Sequence, residues 1–199
     1  MKQVLIETQL FKPSKGLLSE GKMSERGNPL VTGILATCEV ENGNGRYYSE
    51  DLWKREIDKY MELVDQNRAT GELDHPESQV INLKNVSHNI KDISWDGKNI
   101  MGTIEILPTP SGNILKALID NGITVGVSSR GMGSLEQKGD LMEVQDDFEL
   151  LCWDFVSTPS NPGSFMALRE GKENNINVYA KANSIVTEIL CANGNCPIF

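Results

Sequence analysis

Histidine is scarce in this chain, with only His75 and His88 among 199 residues. Cysteine is scarce too: Cys38 and Cys152 sit in apolar runs and read as small core residues, and Cys191 and Cys196 have neither common zinc nor redox spacing. A structural zinc site is therefore not expected, and no metal or cofactor is assigned. Positive charge is also short, 19 Lys and Arg against 28 Asp and Glu, for a net charge of −9. That balance argues against binding duplex nucleic acid, which depends on cations neutralising phosphates. No window has the ~18–20 apolar residues of a membrane span, and the apolar stretch after Met1-Lys2-Gln3 is too short for a signal peptide. A cytoplasmic protein is expected.

What is present is α+β patterning. Residues 4–11 alternate loosely and could form an edge strand, 12–29 read as a loop rich in Ser, Gly, Lys and Pro, and 30–40 are strand-like. The Asn42-Gly43-Asn44-Gly45 steps favour a tight turn. Ser49 then reads as the N-cap of a helix to about Asn67, with its apolar stripe on Leu52, Trp53, Ile57, Tyr60 and Val64. Residues 71–76 read as a loop by their Gly and Pro. Two strands, 86–95 and 99–107, flank the hairpin signal Asp96-Gly97. Ser111 is expected to cap a short helix over 114–120 that closes at Asn121-Gly122, and 141–158 should hold one or two more strands. Beyond Gly163 the pattern thins, which divides the chain into a main domain at 1–165 and a tail at 166–199. Two helices among six or seven strands predict an α+β domain built on a largely antiparallel, barrel-like sheet.

Chemistry concentrates in three places. Ile123-Thr124-Val125-Gly126-Val127 reads as a buried strand ending in Ser128-Ser129-Arg130-Gly131, a polar, glycine-containing turn where backbone N–H groups can face a ligand. A serine hydroxyl becomes a nucleophile when a base within hydrogen-bond reach takes its proton, and histidine is the usual base at neutral pH. His75, between Asp74 and Pro76 with Glu72 close by, suits that task better than His88, which alternates with apolar neighbours and reads as a strand-surface residue. Asp154 interrupts an apolar run, Leu150 to Val156, so its carboxylate must find a partner: an arginine, backbone N–H groups, or His75. Glu72 and Asp74 compete for the same role. For Arg130 the plain alternative is a salt bridge to a neighbouring acid.

Gly71-Glu72-Leu73-Asp74-His75-Pro76 and Val127-Ser128-Ser129-Arg130-Gly131, with the upstream Gly33-Ile34-Leu35-Ala36 and Asn44-Gly45-Arg46-Tyr47-Tyr48, resemble the signature segments of the prohead core proteases of T-even-like tailed phages. The resemblance covers roughly residues 3 to 165. It implies a serine endopeptidase of capsid maturation with a fold akin to the herpesvirus assembly proteases. The enzyme would work inside the immature capsid in the host cytoplasm on scaffold, core and major capsid proteins and on itself, as a homo-oligomer without a cofactor. Ser128 would be the nucleophile, His75 the base and Asp154 the third member, with His88 and Glu72 as alternatives. Backbone N–H groups of Arg130 and Gly131, with the Arg130 guanidinium and Ser129 in support, would hold the oxyanion. Cleavage is implied after Glu with Leu or Ile two residues upstream. Of three such triplets, those ending at Glu20 and Glu170 precede glycine in segments read as mobile and are the expected self-cleavage sites. The competing class is a non-catalytic scaffold or assembly protein that keeps the fold, for which retention of both His75 and Ser128 has no physical need. A thiol hydrolase using Cys38 or Cys152 is disfavoured by the burial of both.

Overall fold

The computed structural model describes residues 2–74, 78–139 and 141–157 apart from 11–22, with the side chains of 8–10 also left aside. All of them fall in one compact unit spanning 1–165. His75, Glu20, Glu170, Cys191, Cys196 and the tail expected at 166–199 lie outside the described residues.

The described residues form ten strands and two helices, in the order β1 (Gln3–Leu10), β2 (Leu30–Thr37), β3 (Arg46–Tyr47), α1 (Glu50–Asp65), β4 (Thr70–Glu72), β5 (Val86–Asp96), β6 (Asn99–Ile106), α2 (Pro110–Asp120), β7 (Gly126–Gly133), β8 (Leu135–Lys138), β9 (Leu141–Val144) and β10 (Glu149–Val156). They form three sheets, ordered β1-β7-β10, β2-β6-β5-β4 and β3-β9-β8. All pairs are antiparallel except β3 with β9. The α+β, mostly antiparallel class is as expected. The barrel is not: among the described residues no sheet closes on itself.

The helices are set by their caps. Ser49 Oγ accepts the Leu52 N–H at 3.2 Å, and Glu50 and Asp51 occupy the first turn of α1, where the helix dipole favours anions. The second helix starts earlier than its periodicity suggested. Thr109, not Ser111, is its N-cap, accepting the Gly112 N–H at 3.0 Å, because Pro110 fits the first helical turn, where its missing N–H costs nothing.

The core lies between α1 and the face of β7 and β10 that carries Val127, Trp153 and Phe155. Trp53 of α1 stacks on Trp153 at 6.1 Å between centroids, Tyr60 meets Trp153 edge-on at 4.9 Å, and Tyr48, Trp53 and Phe148 form a further aromatic group. Gly131 belongs to this packing: a Cβ there would stand 2.4 Å from the Phe148 ring. At the other end of β1, the buried Glu7 carboxylate gathers the Arg46 guanidinium (2.8 Å), the Tyr48 hydroxyl (2.8 Å) and the amides of Asn42 and Asn44 (2.7 and 2.6 Å). This ties the Asn-Gly turn and β3 to the sheet that holds β7.

Candidate active site

Ser128 lies in the middle of a strand, not at its end. β7 continues to Gly133 as the central strand of its sheet, with Ser128 paired to Thr8 on one side and Asp154 on the other. The expected glycine-rich turn after the serines is therefore corrected. Gly131 had suggested a break, but the ladders on both sides hold it, like Gly133, in extended backbone.

Strand alternation then separates the candidates. Ser128 and Arg130 share a face of β7 with their cross-strand neighbours Asp154 and Cys152, while Ser129 and Gly131 belong to the face packed towards the core. The residues expected around the oxyanion are thereby divided between the two faces. Ser129 stands opposite Trp153 on the other side of the sheet from Ser128. The N–H groups of Arg130 and Gly131 sit in a strand that hydrogen-bonds to neighbours on both edges, with a bulge between Leu150 and Cys152 opposite them.

Arg130 is fully buried, and its donors go to protein groups. Nη2 reaches Glu72 Oε1 at 3.0 Å and Asp154 Oδ1 at 3.2 Å, Nε lies 3.0 Å from Asp154 Oδ2, and Nη1 donates to the Ser78 carbonyl at 2.6 Å. Nε and Nη2 also approach Cys152 Sγ at 3.3 and 3.1 Å. This is the salt bridge to neighbouring acids that stood as the plain alternative for Arg130, and it gives Asp154 the partner its burial demands. Asp154 Oδ1 accepts the Glu72 N–H at 2.9 Å as well, and burial pushes its carboxyl above the usual carboxylate range. Its Oδ2 keeps the ion pair with Arg130 but, among the described residues, has no aligned hydrogen-bond donor. Cys152 is buried and its thiol is pushed up, chiefly by desolvation, so it is no nucleophile.

Glu72 corrects the loop expected at 71–76. It ends β4, is wholly buried, and its oxygens accept from Arg130, the Asn82 N–H (3.0 Å) and the Asn85 amide (3.2 Å). β4 fits between β5 and β10 because Gly71 lacks a side chain: a Cβ would stand 2.0 Å from the Trp153 carbonyl. The chain then runs along β10. Leu73 bridges to Phe155, and the Asp74 N–H donates to the Phe155 carbonyl at 2.7 Å. Asp74 itself is left-handed, with φ of 64°, which an aspartate tolerates better than most residues.

His88 is a correction too. Far from the strand surface, it is 1% exposed, with Nε2 at 3.0 Å from the Trp153 carbonyl and Nδ1 at 2.8 Å from Ser87 Oγ. A carbonyl only accepts, so Nε2 carries the proton and Nδ1 accepts from Ser87. Burial pulls its pKa down to about 4. Its neighbour Phe155 meets the ring edge-on at 4.8 Å. Every residue from Val86 to Ile90 is buried, so the polar ones there have to find partners inside the protein, as His88 does with Ser87 and the Trp153 carbonyl.

The described residues thus place a serine on the central strand of a sheet, faced by a buried aspartate on β10, along which the segment ending at Asp74 also runs. The family model for the prohead core protein serine protease matches residues 9–176, and the chain belongs to that family. It is similar to the prohead core protein protease of Enterobacteria phage T4, 31% identical over 145 residues that make up 70% of this chain and 68% of that protein. Its fold is similar to the solved structure of the bacteriophage T4 capsid assembly protease, with a TM-score of 0.71 and 27% identity over 79% of this chain and 99% of the other. Among the described residues no helix is long and apolar enough to cross a membrane, and no cluster of His, Cys, Asp or Glu could hold a metal ion.

Proposed function

We propose that this protein is the serine endopeptidase of phage prohead maturation, with Ser128 as nucleophile and His75 as general base. The observation that carries the reading is the path of the chain. Asp74, immediately before His75, is fastened by its N–H to Phe155 on β10, and the preceding residue of β10, Asp154, pairs directly with Ser128. The two segments of the reaction thus converge from opposite edges of one strand. His75 would take the hydroxyl proton as Ser128 attacks a peptide carbonyl, then return it to the leaving amine.

Asp154 is the third member this reading favours. It stands nearest to Ser128 in the ladder, and its Oδ2 retains acceptor capacity. Of the alternatives, Glu72 already fills both oxygens, and His88 has both ring nitrogens engaged. The substrates proposed are phage scaffold, core and capsid proteins inside the immature particle, cut after Glu with Leu or Ile two residues upstream, with the chain's own Glu20 and Glu170 among the targets. The triplet Leu5-Ile6-Glu7 is excluded by its place in β1, where the Glu7 carboxylate is enclosed. Self-association and kinship with the herpesvirus assembly proteases belong to the same proposal, the latter supported by the antiparallel sheets with flanking helices.

The test is cleavage of a peptide containing a Leu-x-Glu-Gly site. Wild type should cut it after Glu. Ser128→Ala and His75→Ala should each lose about 10⁴-fold or more in kcat, as removal of such a residue does in other serine proteases. Equal turnover by all three proteins would overturn the assignment.

A further inference from the structure

We propose that Arg130 is a positioning residue, whose guanidinium fixes both flanks of the 75–77 segment against the strand that carries Ser128. The inference rests on the Ser128–His75 reading for its functional meaning, and on geometry for the clamp itself. Two residues along β7 from Ser128, Arg130 reaches Glu72 on the near side of the segment at 3.0 Å and the Ser78 carbonyl on the far side at 2.6 Å. Glu72 carries the tie further, accepting from the Asn82 N–H and the Asn85 amide. Asp154 closes it onto β10, accepting from Arg130 and from the Glu72 N–H. One side chain therefore holds residues before and after the segment, and the loop beyond it, to the sheet of Ser128.

The charge count supports positioning over stability. Two buried carboxylates share one cation, all three side chains at most 1% exposed. Such a group gains little net stability, since desolvation offsets most of the attraction, and a planar fork with five donors is what lets a single residue serve acceptors in several directions. Lysine, with a point charge on a flexible stem, cannot span Glu72, Asp154 and Ser78 together.

The experiment pairs hydrogen exchange with kinetics on the full chain for wild type, Arg130→Gln, Arg130→Lys and Glu72→Gln. The expected result for Arg130→Gln is a rise of about tenfold or more in exchange at the Glu72 and Asn82 amides, with β2, β5 and β6 unchanged. Turnover of the Leu-x-Glu-Gly peptide should fall about tenfold or more in kcat with KM within about threefold, and Arg130→Lys should recover part of both. Glu72→Gln should loosen Asn82 alone and keeps the proposal testable should Arg130→Gln fail to fold. Unchanged exchange at Glu72 and Asn82 would overturn the clamp, and a kcat loss with unchanged exchange would assign Arg130 to the reaction itself. A wild type that cuts no peptide, with the exchange changes as expected, would sink the protease reading and leave the clamp standing.

Discussion

Replacing Gly71 by alanine should be the most damaging single methyl in the site's scaffold. The added Cβ would lie 2.0 Å from the Trp153 carbonyl oxygen and 2.5 Å from His88 Nε2. Ordinary carbon–oxygen contacts begin near ~3.3 Å, so β4 and β10 would have to part by about 1.3 Å. Trp153 cannot yield freely, because its ring is stacked against Trp53 and Tyr60 and its carbonyl accepts from His88. Overpacking costs about 1–3 kcal/mol, and freeing the buried His88–Trp153 hydrogen bond adds about 1–3 kcal/mol, so a loss of about 2–6 kcal/mol is expected. In urea unfolding, with a slope near ~2 kcal/mol/M, the midpoint should fall by about 1–3 M. Hydrogen exchange should rise first at the Glu72 and Asp74 amides, which β4 delivers to Asp154 and Phe155. A midpoint within about 0.2 M of wild type would refute the close approach of β4 to β10 and with it the account of how the segment ending at Asp74 is held along β10.

Acid should destabilise the protein partly through His88. Its folded pKa of about 4 lies below the ordinary ~6.5, so the unfolded chain takes up a proton that the folded one refuses as pH falls through that window. The stabilising contribution is complete above ~6.5 and is lost towards pH 4, a loss of about 2–3 kcal/mol by pH 4.5; Asp154, raised by burial, acts with the opposite sign. Urea titrations at pH 7 and 4.5 should show a smaller acid loss in His88→Gln than in wild type, and equal losses would contradict the buried neutral ring. Glu7→Ala should cost about 3 kcal/mol, because Arg46 and Tyr48 lose their shared acceptor, and should lower the melting temperature by about 6–12 °C; an unchanged melting temperature would exclude Glu7 as the tie between β1 and β3.

Elements with strong local signals were legible. Ser49 and the stripe on α1, the Asp96-Gly97 hairpin and the strands after Leu141 all follow from caps, period and turn chemistry that tertiary contacts do not override. The elements that were not legible depend on partners distant in sequence. β4 is three residues long and contains a glycine, so nothing local marks it as a strand; it exists because β5 and β10 provide edges on both sides. Likewise the glycines of β7 look like a turn until Phe148 is seen to occupy the space of the Gly131 side chain. Asp154 was legible as a buried acid in need of a partner, and the salt bridge of Arg130 only as the alternative to a role at the oxyanion. That one arginine also serves Glu72 and Ser78 could not be read, because the side chain links four separate segments.

The central claim is that Ser128 is the nucleophile activated by His75. The most direct measurement is covalent labelling with a serine-reactive fluorophosphonate, followed by mass mapping of the modified peptide. The account predicts a single label on Ser128 in wild type, strongly reduced in His75→Ala and absent in Ser128→Ala. A label on another residue, or undiminished peptide cleavage by Ser128→Ala, would contradict it.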